Sequence, residues 1–183
     1  MAKKLIKFVE KHFEDEVIDS HSRLGNDTVV VERDRLPEIV ERLRDDDKTK
    51  MDFLRAITCV DYDNRVPRFE VVYVLYSMEE KHMLTLRVVV EEEDPTVPTI
   101  SHLYGCAGWT EREVYDMYGI EFEGHPDMRR VLLYEEFEGH PLRKDYAKQD
   151  AQPRIDLLTR ERDSVEEFNV FVKNKSSKGS RES

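Results

Sequence analysis

Cysteine is nearly missing: Cys59 and Cys106 are the only two in 183 residues, 47 positions apart and outside any CxxC pair. An iron–sulfur cluster takes about four thiolates, so this chain cannot furnish a standard cluster site. Two reduced, buried thiols are expected rather than a disulfide. Long apolar runs are missing too. Runs such as Val71–Tyr76 and Val88–Val90 are far below the roughly 20 residues that a membrane span requires. The basic start, Met1–Phe8, reaches Glu10 and Lys11 before any apolar stretch develops, so it reads as no secretory signal. If the protein works at a membrane, another component holds it there. Positive charge is also scarce, with 29 Lys and Arg against 40 Asp and Glu, a net charge of −11 and a pI near 5.1. A duplex-binding surface needs clustered cations that displace counterions from phosphate, so nucleic acid is not an expected partner.

Catalytic signatures are absent as well. The chain has no GxSxG elbow, no GxGxxG and no GxxxxGK loop, which leaves no nominated nucleophile and no phosphate cradle. Only two Gln accompany 38% charged residues, a balance resembling proteins built for high temperature, where ion-pair networks gain value. The charge is unevenly placed: residues 1–128 hold 17 basic and 29 acidic groups, whereas 129–183 hold 12 and 11.

What is present divides into a patterned body and an unpatterned tail. Leu5, Ile6, Phe8, Val9 and Phe13 recur at near-helical spacing, and Thr28–Val31 reads as a strand. Asp34 is placed to cap the next helix, with Pro37 in its first turn and Leu36, Ile39, Val40 and Leu43 as its apolar stripe. Segments 54–62, 69–76 and 84–91 have strand character, and the short Ser77–Met83 link predicts that the last two pair antiparallel. These elements predict an α+β fold: a mostly antiparallel sheet covered by helices over residues 1–122, then motif-bearing turns and an extended tail over 123–183. Leu157, Leu158, Val165, Phe168, Val170, Phe171 and Val172 give that tail apolar anchors without a core, so a partner is expected to order it.

The clearest local signals follow. Thr110 and Glu113 have the spacing of a capping box, Trp109 and Val114 that of a hydrophobic staple, and Gly119 stands where a left-handed stop belongs. Glu111 and Glu113 lie two residues apart, about 200° around a helix, so they cannot act on one bond. Arg112 is free to bridge outward, and Asp116, four residues on, could pair with it along the helix. Gly124-His125-Pro126 and Gly139-His140-Pro141 repeat at a spacing of 15, each preceded by Glu and followed by Arg. His125, His140, Asp127 and Asp145 could offer mixed metal ligands, although zinc sites normally place two ligands within a few residues. The competing reading makes Gly and Pro shape two turns while each imidazole bonds the backbone. Arg129, Arg130, Arg143 and Lys144 lie at the same turns, and on an acidic protein such cations meet carboxylates or bind an anion.

The strings Trp109–Ile120, Phe122–Arg130 and Phe137–Tyr146, in that order, resemble one family: the 30-kDa or C subunit of respiratory complex I, with relatives in membrane-bound hydrogenases and related ferredoxin-linked complexes. The resemblance is strong over residues 104–146 and looser back through 54–98. Ala147 stands where the family usually has proline, and Tyr118 where phenylalanine is common. The resemblance implies a non-catalytic, cofactor-free subunit on the cytoplasmic side of the cell membrane, held there through other subunits. It would pack beside a hydrogenase-like large subunit and a small subunit bearing iron–sulfur clusters. On it, Glu111, Arg112, Glu113, Asp116, His125, Asp127, Arg129, Arg130, His140, Arg143 and Lys144 serve contact between subunits and turn geometry. Reversing the charge of Arg129, Arg130 and Arg143 is then expected to release the chain from its large neighbour with its fold intact. Composition tilts the expectation toward a ferredoxin-linked hydrogenase or sulfur reductase over an NADH–quinone enzyme. The rivals are a free-standing metal-dependent hydrolase, which elemental analysis would reveal, and a generic adaptor domain.

Overall fold

Alternation of period two is strongest in Phe69–Tyr76 and Met83–Val90, and these segments form the middle of the main sheet. The computed structural model describes residues 4–147 and 152–153. Its five-stranded sheet consists of β1 (Val17–Arg23), β2 (Asn26–Val31), β3 (Phe53–Asp61), β4 (Phe69–Tyr76) and β5 (Met83–Val90), in the order β1-β2-β5-β4-β3. The expected β4–β5 hairpin forms, with Phe69 opposite Val90 and Tyr76 opposite Met83. The other two hairpin pairs are also antiparallel, and β2 runs parallel to β5. The α+β expectation therefore holds.

One face of the sheet is closed by helices. In α1 (Lys4–His12) Leu5, Ile6 and Val9 are buried, and in α2 (Leu36–Asp45) Leu36, Ile39, Val40 and Leu43 are buried. They join Val29, Val31, Val71, Tyr73, Leu75, Leu84, Leu86, Val88 and Val90 in one core, each of its aliphatic side chains contributing about 1.5–3 kcal/mol by its removal from water. A third helix, α3 (Ala107–Tyr118), packs on β3. Pro37 occupies the first turn of α2 as expected. Asp34 does not cap that helix. It lies in a 3-10 turn, Arg33–Arg35, which leads into α2 and makes no side-chain cap bond.

Sequence patterning misses three strands. β1 buries no residue along its length, so it lacks the hydrophobic signal of a strand. β6 (Thr96–Pro98) and β7 (Glu121–Glu123) are three residues each and form a small parallel pair. That pair ties the entry of the α3 region to its exit: Thr99 N–H donates to Glu123 C=O at 2.9 Å and Glu121 N–H to Pro95 C=O at 2.8 Å. By internal contacts the chain separates into Met1–Asp150 and Ala151–Ser183, and the expected boundary at 122 falls inside the first unit. The expected partner-ordered tail lies outside the described residues, apart from Ala147, Gln152 and Pro153.

Candidate subunit interface

Helix α3 is the spine of the site. It begins at Ala107, because the turns after Ile100 wind directly into it and Trp109 and Thr110 N–H already bond Cys106 C=O. Thr110 therefore sits inside the first turn. Its hydroxyl donates back to Ala107 C=O at 3.1 Å, so the expected capping box and staple do not form, and Glu113 stands exposed. The C-terminal stop is as expected: Gly119 has φ +72 and its N–H bonds Tyr115 C=O at 2.8 Å.

A helix end leaves its last carbonyls without partners, and here the second Gly-His-Pro loop supplies them in sequence. His140 Nδ1 donates to Asp116 C=O at 3.1 Å and Leu142 N–H to Met117 C=O at 3.1 Å. Arg143 Nε donates to Tyr118 C=O at 2.5 Å, with Nη2 3.5 Å from Gly119 C=O. A guanidinium at this end also meets the negative pole of the helix. The fit requires glycine at 119, since a Cβ there would lie 2.5 Å from His140 Nε2 and 2.7 Å from Arg143 Nη2. Burial pushes the His140 pKa below its ordinary value, and the nearby Arg143 and Arg130 add to that effect.

The first loop hangs on the other end and flank of the helix. His125 Nε2 donates to Gly108 C=O at 3.0 Å, while its Nδ1 accepts Asp127 N–H at 3.0 Å. Both imidazoles thus bond the backbone. Arg112 does not pair with Asp116; it turns outward and donates to Arg129 C=O at 2.8 Å and Arg130 C=O at 3.0 Å. Asp116 is wholly buried and gathers the chain after the loop. Its Oδ2 accepts Val131, Leu132 and Leu133 N–H at 3.1, 2.8 and 2.9 Å, and its Oδ1 accepts Arg130 Nη1 at 2.7 Å. Arg130 continues to Phe137 and Gly139 C=O at 3.0 and 3.1 Å. Burial opposes ionisation of Asp116, but the three N–H donors and Arg130 outweigh it and hold the pKa below the usual carboxylate range.

Glu111 faces the opposite way from Glu113, as the helical geometry requires. It is wholly buried and accepts Thr99 Oγ1 at 2.5 Å and Ile100 N–H at 2.8 Å. Burial raises its pKa against those two bonds.

Of the three arginines named for charge reversal, Arg130 and Arg143 therefore work inside the molecule, and reversing either would undo the loops that present the surface. Arg129 is exposed and clasps Asp127 with two 2.7 Å bonds. Lys144 extends its side chain outward while its N–H binds Asp61 Oδ2 at 2.8 Å.

Sequence reasoning missed Arg68. It is 6% exposed and grips Asp61 through two 2.9 Å bonds, Asp145 at 2.8 Å and Glu92 at 2.5 Å. It thereby fastens the second loop to the end of the sheet. Arg68 holds the Asp61 carboxyl below the usual range against its burial, aided by Lys144 N–H. Nothing in the local sequence marks Arg68, since its partners lie 7, 24 and 77 residues away.

Cys59 is buried as expected, with burial and then Asp61 pushing its thiol up to about 12. Cys106 is exposed, contrary to expectation, because it stands at the solvent edge where α3 begins; both thiols are free. Among the described residues, no group of three His, Cys, Asp or Glu side chains is arranged to hold a metal ion. No described helix is long and apolar enough to cross a membrane. The surface that remains outward has Trp109 at 62%, Leu132 at 63% and Leu142 at 50% exposure, with the Arg112 guanidinium 5.0 Å from the Trp109 ring centre.

Residues 29–152 match the family model described as the respiratory-chain NADH dehydrogenase 30 Kd subunit. The chain is 45% identical over 132 residues to the C subunit of NADH-quinone oxidoreductase from Erythrobacter litoralis, covering 72% of this chain and 52% of that one. It is 44% identical over 131 residues to the protein of the same name from Roseiflexus castenholzii, covering 72% and 75%. It thus spans about half the length of the first relative and three quarters of the second. Among solved structures, a trypsin-resistant fragment of Nqo5 is 38% identical with a TM-score of 0.59, over 67% of this chain and 98% of the fragment. A chain of an archaeal membrane-bound sulfane sulfur reductase shares the fold at 19% identity and a TM-score of 0.68, over 84% and 96%. The motif string, the fold built around α3 and the extent of these matches lead to one conclusion: the chain belongs to the respiratory-chain NADH dehydrogenase 30 Kd subunit family.

Proposed function

We propose that this chain is a non-catalytic, cofactor-free subunit of the peripheral arm of a complex-I-related membrane oxidoreductase. In that role it braces a hydrogenase-like large subunit and a small subunit bearing iron–sulfur clusters, on the cytoplasmic side of the membrane. The observation that carries this reading is the use made of the motif residues. His125, His140, Arg112, Arg130, Arg143 and Asp116 all bond main-chain groups of the chain itself, so they stiffen two loops. A rigid rim with Trp109, Leu132 and Leu142 exposed suits a partner contact, since buried aromatic and apolar anchors dominate such interfaces.

Of the two branches, the NADH–quinone type has the better support. Relatives that carry that name are 44–45% identical, whereas the likeness to the sulfur reductase is one of fold. The charged composition that favoured the ferredoxin-linked branch speaks only to temperature.

Extraction of the native membranes in mild detergent, capture of this chain by an affinity tag and mass spectrometry of what accompanies it test the proposal. A large subunit, a cluster-bearing small subunit and NADH–quinone activity in the captured material are expected. Recovery of the chain alone, or turnover by the purified chain unaided, would sink it.

A further inference from the structure

The face of the sheet opposite the helices carries a second, differently built surface. His21, Thr28, Thr85, Val74 and Ala56 stand side by side across β1, β2, β5, β4 and β3, so one row of side chains crosses the whole sheet. They floor a groove of about 630 Å³ that no residue of α1, α2 or α3 lines. Its rim carries Arg23, Arg55 and Arg87. Arg55 owes its outward aim to a break in the β3–β4 register between Leu54 and Ala56.

The state of these arginines is unusual for so acidic a chain. With 40 carboxylates against 29 Lys and Arg, nearly every described arginine finds a carboxylate or a main-chain carbonyl. Among the described residues, Arg23 and Arg55 have neither, and Arg55 reaches just the Met83 sulfur at 3.7 Å. Arg87 bonds Glu70 at 3.3 Å, but Glu70 is shared with Arg65, and the buried Arg87 Nε–H has no partner at all. A buried donor left unpaired is destabilising, so a ligand that satisfies it gains affinity from doing so. Among the described residues no carboxylate lines the groove, and two pair with residues that do, Asp19 with His21 at 4.0 Å and Glu70 with Arg87 at 3.3 Å.

We propose that this groove binds an acidic polypeptide segment of another subunit, with at least two Asp or Glu side chains on the arginine forks and small apolar side chains on the Ala56–Val74 floor. Carboxylates match the planar two-pronged geometry of guanidinium, and the apolar floor favours a peptide over a bare inorganic anion. The net charge of −11 repels nucleic acid. The inference rests on the reading that the chain works within an assembly, and it adds a contact on the side away from α3.

Phenylglyoxal labelling of the full chain, alone and within the affinity-captured native complex, tests it. Arg23 and Arg55 are expected to be modified at least about tenfold more slowly in the complex, the protection given by a tightly held partner. A photo-crosslinking residue in place of Met83 is expected to join a segment of a different chain that contains two or more Asp or Glu. The pair Arg23→Glu and Arg55→Glu is expected to weaken retention in the complex about tenfold with an unchanged circular dichroism spectrum. Equal labelling in both states overturns the proposal, and so does a crosslink to a neutral or basic segment, to residues 148–183 of this chain or to a second copy. If the complex assembles with both arginines still reactive, the groove proposal alone fails; if no other chain is captured, the assembly reading fails with it. Labelling of the unaltered protein decides the matter even if the double variant does not fold.

Discussion

Asp116 is the residue on which the loop architecture depends most directly, and removing its carboxylate is the sharpest test of that architecture. Its two oxygens hold three consecutive main-chain N–H groups and the Arg130 guanidinium from a wholly buried position. Hydrogen bonds to a charged group contribute about 1.5–3 kcal/mol each, but four such bonds to one group do not add. The better guide is the loss of one member of a buried pair, about 3–5 kcal/mol, and this is the expected cost of Asp116→Ala. With a urea dependence of about 2 kcal/mol per molar, the unfolding midpoint should fall by about 2 M. Asp116→Asn should cost less, about 1.5–3 kcal/mol, because the amide oxygen can keep the three N–H donors while its NH2 is forced against Arg130. Acid should reproduce the effect in the unaltered protein. The folded pKa of Asp116 is depressed, so its contribution is complete above the unfolded value of about 3.9 and disappears as pH falls through the folded one. Hydrogen exchange at Val131, Leu132 and Leu133 reads this locally, and Trp109 fluorescence reads it globally. If Asp116→Ala leaves those three amides protected and the midpoint unmoved, the loops are held by something other than α3.

Gly119→Ala should destabilise by about 1–2 kcal/mol from its left-handed backbone and by about as much again as His140 and Arg143 are pushed off the α3 carbonyls; a melting temperature lowered by less than the backbone effect alone would show that the second loop yields freely. Arg129→Glu should leave stability nearly unchanged, as the loss of an exposed pair does, whereas Arg143→Glu should cost about 3 kcal/mol or more by placing a carboxylate against helix carbonyls; equal costs in denaturant titrations would contradict the inward assignment of Arg143. At pH 8 one thiol per chain should react rapidly with a disulfide reagent, because Cys106 is exposed while Cys59 is buried with its thiol pushed up to about 12; two fast thiols would mean that the core opens at β3. The His140 ring, followed by NMR, should protonate below the ordinary imidazole value, so the stability it confers is complete above that value and lost as pH falls through the lowered one; a raised value would mean that the loop does not bury the ring.

The strands β3, β4 and β5 and the stripes of α1 and α2 were legible in the sequence because one face of each element is apolar and periodicity reports burial directly. β1 was not, since an edge strand with no buried side chain has no period to read. The capping-box spacing points to a start of α3 at Thr110, but spacing alone does not report the preceding turns, which use Cys106 C=O to begin the helix three residues earlier. Gly119 and the two Gly-His-Pro turns were found because a left-handed residue and a proline constrain the backbone locally, whatever surrounds them. The partners of Arg68, Asp116 and Arg143 could not be found that way. Each bond joins groups that are distant in sequence, and side-chain chemistry alone does not say whether a guanidinium faces outward to a partner or inward to a carbonyl.

That ambiguity has a physical resolution in the nature of residues 123–147. Beyond β7 the segment has neither helix nor strand, so it has no ladder of its own to pair its N–H and C=O groups. Main-chain groups withdrawn from water need partners, and α3 with its C-terminal carbonyls is the nearest supply. Cations and imidazoles on the segment meet those carbonyls, and a carboxylate on the helix meets the segment's N–H groups. The motif's charged residues that bond the main chain thus meet the demands of an irregular segment that must be stiff. What such a segment then offers a neighbour is a fixed outline with Leu132, Leu142 and Trp109 outward.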